Sequence, residues 1–111
     1  MDIREERHGS VCVVTLRGRL DVATSAAFAE RVDRLIAGSQ PRLLVDLSGV
    51  DFVSSAGLRA ILAVMKKVKA ANGIFALCAV RAPVREVLDM TGFTPLIEIH
   101  PEVSTALAAM A

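Results

Sequence analysis

The feature that most constrains this chain is a change of hydrophobic period inside residues 42–69. Leu43 to Leu47 is an unbroken apolar run bounded by Pro41 and Gly49. It is too short for a helix, and its lack of alternation is what a strand buried on both faces requires. Ser48 to Val53 reads as a polar loop. Beyond it, Leu58, Ile61, Leu62, Met65 and Val68 recur at the spacing of one helix face. Between the two patterns stand Ser54 and Ser55. Ser54 has the chemistry of an N-cap, a side-chain oxygen that accepts from free helix N–H groups. Ser55 is then the first residue inside the helix. Its hydroxyl points past the sheet edge, where unpaired N–H groups and the helix dipole favour negative charge.

With 111 residues, about half of them apolar, the chain suits one domain, 1–111, with one ordinary core. Net charge is only +1, and the basic residues are scattered. A nucleic-acid binder is expected to carry a basic stripe, so nucleic acid is excluded as the main partner. Lys66, Lys67 and Lys69 read as a solvated helix end that suits the dipole. Trp and Tyr are absent, which argues against a base-stacking platform. No apolar run approaches the roughly 20 residues of a membrane helix, and the charged start, Asp2 to Arg7, is no signal peptide. Cys12 and Cys78 fall inside predicted strands and read as buried reduced thiols. A cytoplasmic protein is the expectation. No metal-ligand cluster or glycine-rich phosphate cradle is present, so no cofactor is expected.

In chain order, Ile3–His8 and Val11–Arg17 flank the turn pair Gly9-Ser10 and form a hairpin. Gly18 to Asp21 reads as a turn. Asp21 or Thr24 caps a helix to about Ala37, with Phe28, Val32, Leu35 and Ile36 inward. After the central unit, Asn72-Gly73 is a left-handed helix end, and Ile74–Val80 a second buried strand. Pro83 opens a third helix with Val84, Val87 and Leu88 inward, ended by Gly92. Leu96–Ile99 is a short strand. Pro101 opens a last helix with Val103, Ala106, Leu107 and Met110 inward. Alternating strands and helices imply parallel pairs with right-handed crossovers, and the hairpin makes the sheet mixed. The fold class is α/β, with four helices packed mainly on one face. Ligands and partners meet such sheets at the C-terminal strand ends, where Asp21, Asp46, Ser48, Ser54 and Ser55 are expected to gather.

Three roles compete for the serines. Ser54 needs no more than capping. A catalytic role has Ser55-Ala56-Gly57 as half of a nucleophile elbow. However, the elbow wants a glycine where Val53 stands, and neither His8 nor His100 belongs to a segment that returns to Ser55. The third role is a switch. Phosphate on Ser55 adds roughly −1.5 to −2 charge at a helix end that tolerates it, while a docked partner meets a new dianion. Asp21 and Asp46, if close, add like charge. The outward positions of the same helix, Arg59, Ala60, Ala63, Lys66, Lys67 and Ala70, leave a shallow strip framed by positive charge. Leu58 fits either side of the divide.

The stretch Val-Asp-Leu-Ser-Gly-Val-Asp-Phe-Val-Ser-Ser-Ala-Gly-Leu-Arg, residues 45–59, closely resembles the signature of the STAS domain, the fold of bacterial anti-sigma factor antagonists. Gly18-Arg19-Leu20-Asp21 resembles that family's approach to its first helix. Val84 to Phe93 resembles its third helix and exit turn. The resemblance implies a non-enzymatic partner switch. Ser55 falls on the residue phosphorylated by an anti-sigma factor that is also a serine kinase, and a phosphatase resets it. Two departures stand beside it: Ser54 replaces an aspartate and Ala56 a Ser/Thr. Partner contact is implied for Asp21, Ser54, Gly57, Leu58, Arg59, Ala63 and Lys66, with Asp46 and Ser48 around the phosphosite. Arg59, where a small residue is common, stands one turn from Ser55 and suits a phosphate. The alternative is a STAS subunit of a membrane transport complex of ABC type, docked on its ATPase by the same helix.

Overall fold

The computed structural model describes residues 1–38 and 40–110. The chain runs β1 (Asp2–His8), β2 (Val11–Leu20), α1 (Val22–Leu35), β3 (Arg42–Val53), α2 (Ser55–Ala70), β4 (Ile74–Cys78), α3 (Ala82–Met90), β5 (Ile99–His100) and α4 (Val103–Met110). The five strands lie side by side in chain order. β1 and β2 form the hairpin, antiparallel from Asp2 opposite Arg17 to His8 opposite Val11. The other three pairings are parallel.

This order decides where the helices go. Three successive right-handed crossovers that advance the same way across a sheet place α1, α2 and α3 on one face. Strand alternation supplies that face with Cys12, Val14, Leu16, Leu43, Val45, Leu47, Phe75 and Leu77. The helices answer with Phe28, Val32, Leu58, Ile61, Val64, Met65, Val68, Val84 and Leu88. The opposite face keeps a smaller cluster, in which Val11, Val13, Leu44, Ala76 and Cys78 lie under Ala106 and Met110 of α4.

Several elements differ from their sequence expectation. Ser48–Val53 is strand and no loop: Gly49 to Val53 pair with Arg17 to Leu20, and Val50 and Val53 are buried. Gly18–Leu20 is likewise strand, with Gly18 at φ +113°. Irregular register at Thr15/Arg17 and Gly18/Arg19 breaks the period-two pattern there, which disguised both segments. The last strand is only Ile99–His100, because Thr94–Leu96 makes a 3-10 turn. α1 ends at Leu35, and α2 buries Val64 while Leu62 is half-covered. The left-handed end of α2 is as expected: Asn72 has φ +60°, and Gly73 N–H donates to Val68 C=O at 2.8 Å.

Candidate functional site

Extending β2 and β3 together past the rest of the sheet has one main consequence. Leu20 and Val53 end as paired neighbours, so α1 and α2 start side by side. Ser54 N–H donates to Leu20 C=O at 2.9 Å, locking the two helix starts to each other. Asp21 caps α1: its Oδ1 accepts from Ala23 N–H at 3.0 Å and Thr24 N–H at 3.2 Å. Thr24 completes a capping box, accepting from Asp21 N–H at 3.0 Å and donating to Arg19 C=O at 2.7 Å. Ser25, also buried, donates to Asp21 C=O. Ser54 caps α2, its Oγ accepting from Gly57 N–H at 3.1 Å. The sequence left Asp21 and Thr24 as rival caps; the structure uses both, in reciprocal roles.

Ser55 opens α2, is exposed, and its hydroxyl has no hydrogen-bond partner among the described residues. Neither α1 nor α2 carries an acidic residue in its first turn. Two helix N-termini therefore converge on this corner with no acidic residue in either first turn, and the field there favours an added anion. Along α2, Ser55, Arg59, Ala63 and Lys66 follow at i, i+4, i+8 and i+11, one exposed stripe. Among the described residues Arg59 and Lys66 form no ion pair. Lys67, on the neighbouring flank, is held by Asp33 of α1 at 2.7 Å.

Not every expected residue joins the group. Asp46 and Ser48 lie in the middle of β3, eight and six positions before Ser54. Asp46 follows the alternation of Leu44, so it looks onto the α4 side of the sheet, away from α2. Its Oδ1 is engaged with Ser48 N–H at 2.9 Å, and its charge helps burial push the Cys78 thiol up to about 12. The expected crowding of Asp46 against Ser55 does not occur. Gly57 and Leu58 are buried. A Cβ at Gly57 would strike Leu20 C=O, so this glycine permits the close approach of α2 to the end of β2. Leu58 belongs to the core. Neither is open to a partner; they set the shape that the stripe presents.

Three residues of this corner were missed in the sequence. Arg19 stacks over Phe52, with Cζ 4.1 Å from the ring centroid, and its Nε stands 4.0 Å from Asp21 Oδ2. Phe52 is 38% exposed and Val22 76%, large apolar areas for so small a domain. Val22 could have been found, since it lies off the inward face of α1. Phe52 was hidden by reading its segment as loop. Neither histidine is paired with Ser55: His8 is engaged with Glu6 at 3.0 Å and His100 with Glu98 at 2.8 Å.

A mixed sheet with three helices on one face and an exposed serine opening the second helix defines the architectural class, and comparison places it more closely. The STAS domain family matches residues 2–106, and the chain belongs to that family. The Paenibacillus polymyxa anti-sigma F factor antagonist is 32% identical over 111 residues, 99% of this chain and 95% of that protein. An anti-sigma factor antagonist from Mycobacterium paratuberculosis has a solved structure with TM-score 0.87 and 31% identity, covering 98% of this chain and 92% of the other. A Thermotoga maritima crystal structure reaches TM-score 0.91 at 22% identity over 97% and 93% of the two chains, and shares the fold. No helix among the described residues is long and apolar enough to cross a membrane.

Proposed function

We propose that this chain is a cytoplasmic anti-sigma factor antagonist that works by partner switching. Unmodified, it binds an anti-sigma factor that is also a serine kinase, across the corner of Asp21, Ser54 and Ser55 and the stripe of Arg59, Ala63 and Lys66. The kinase transfers the γ-phosphoryl group of ATP to Ser55 Oγ, ADP leaves, and the complex separates. A phosphatase hydrolyses the phosphoserine and resets the switch. The chain is the substrate of this chemistry and catalyses none of it.

The observation that carries this reading is the free, exposed Ser55 hydroxyl at an acid-free helix N-terminus, beside an exposed stripe. The dipole favours the added charge, so the fold survives modification. A partner seated on the corner instead traps a dianion against its own surface. Moving binding from nearly full to nearly absent takes about 5.5 kcal/mol of differential affinity. A buried charge without a countercharge supplies penalties of that order. Arg59, one helical turn beyond Ser55 in α2, is placed to receive the phosphate once the partner has left.

The test is incubation with ATP and an anti-sigma serine kinase that binds the unmodified chain, followed by intact mass and peptide mapping. One phosphate on Ser55, absent from Ser55→Ala, is expected. No phosphate on the wild type, or phosphate retained by Ser55→Ala, overturns the assignment.

A further inference from the structure

At the opposite end of β2 and β3 from Ser55, a cavity of about 330 Å³ opens between the end of α1 and the starts of these two strands. Its wall carries two guanidinium groups, Arg7 from β1 and Arg42 from β3, and no carboxylate among the described residues lines it. Its floor is apolar and includes Cys12, Leu35 and Leu43. Burial pushes the Cys12 thiol up, with Arg7 opposing and Glu5 adding to the shift, so the thiol on the floor is uncharged at neutral pH.

Arg42 is half-buried and held in place. Its Nη1 donates to Ser10 Oγ at 2.9 Å and to Met110 C=O at 3.1 Å. Both acceptors are neutral, so among the described residues the charge is positioned without being neutralised. Among the described residues neither Arg42 nor Arg7 forms an ion pair. Glu5 and Glu6 line an adjoining recess that shares Arg7, Cys12 and Leu35 with this cavity, and each has a partner, Glu5 in Arg31 and Glu6 in His8. A partly desolvated cation with no countercharge among the described residues favours an incoming anion. A planar guanidinium matches a carboxylate in two-point geometry, and its five N–H donors leave spare ones here. The cavity size lies at the small end of ligand sites, roughly 300–1,000 Å³.

We propose that this cavity binds a small organic monocarboxylate, its headgroup held by Arg7 and Arg42 and its aliphatic body lying on Cys12, Leu35 and Leu43. The charged wall and the apolar floor together select this class: inorganic anions ignore the floor, and neutral lipids ignore the wall.

Sodium octanoate is the probe, added to the ¹⁵N-labelled full chain and followed by amide shifts, with 1-octanol and inorganic phosphate in parallel titrations. Saturable shifts at Cys12, Leu35, Arg42 and Leu43, with Ser54 to Lys66 unmoved, are expected. Arg7→Gln, at an exposed position that leaves the fold intact, weakens octanoate about fivefold or more, and so does Arg42→Gln, while octanol responds to neither. The proposal is overturned if octanol or phosphate saturates the same amides as tightly as octanoate. It is equally overturned if octanoate shifts scatter over the surface, or if Arg7→Gln binds it within twofold of wild type.

Discussion

Gly57 and Ser54 show how little of this site's chemistry is free to vary. A methyl group at Gly57 collides with Leu20 C=O, a backbone atom fixed by its bond from Ser54 N–H. Gly57→Ala is therefore expected to lose about 1–3 kcal/mol in urea unfolding, the usual cost of overpacking. Ser54→Ala removes only the cap to Gly57 N–H and should lose about 1 kcal/mol. If Gly57→Ala proves as stable as wild type, α2 does not approach β2 as closely as described. Ala79 offers the opposite case. It sits at φ +54°, in the left-handed region where a Cβ is strained. Ala79→Gly should relieve that strain and raise stability, net of added chain entropy, by up to about 1 kcal/mol. A lower urea midpoint at unchanged slope would contradict this.

Among the elements, α2 presents the exposed stripe of Ser55, Arg59, Ala63 and Lys66 on one side and the core on the other. Its inward residues were readable because a helix face repeats every 3.6 positions, and Ser54 was readable as a cap because its oxygen precedes that repeat. β3 was readable from Leu43 to Leu47, nearly all of it flanked by strands on both sides. Past Asp46 it loses β4 as a neighbour, and irregular pairing with β2 scrambles its alternation. A polar segment without alternation is indistinguishable from loop until its partner strand is seen. Phe52, and with it the Arg19 stack, was lost for this reason, and Asp46 was assigned to a corner it does not reach. The surface so revealed can be tested. Val22→Ser removes mainly exposed apolar area and should leave the urea midpoint nearly unchanged, whereas Phe52→Ser also removes the Arg19 stack and should lose about 1 kcal/mol while remaining folded. If the corner is the docking surface, each should weaken binding to the anti-sigma kinase about tenfold, the scale of a loss near 1.4 kcal/mol. Full affinity in both variants would move the docking surface elsewhere.

For the molecule as a whole, the two thiols report on the integrity of the sheet. Both are free and buried, on opposite faces, and burial raises both, Cys78 to about 12 with help from Asp46. A raised thiol pKa means that the folded state disfavours the thiolate. The associated stability is complete below the ordinary thiol value near 9 and is lost as pH climbs from there towards about 12. Unfolding should therefore become easier across that window, and Cys78→Ala should flatten the dependence. Native protein at pH 8 should resist iodoacetamide at both sites, and urea should expose both. Rapid native alkylation of Cys78 would mean that α4 does not cover its face of the sheet. α4 itself was correctly read from Val103, Ala106, Leu107 and Met110, because a terminal amphipathic helix must cover whatever apolar face the three crossovers leave bare.

The proposed switch turns on one charge at one corner, so the decisive measurement is the affinity of an anti-sigma kinase for this chain with and without phosphate on Ser55, alongside the melting temperature of each form. The expected result is binding weakened by about 10⁴-fold, with a melting temperature within a few degrees of the unmodified chain. Equal affinity of the two forms, or a phosphorylated chain that no longer folds, would contradict it.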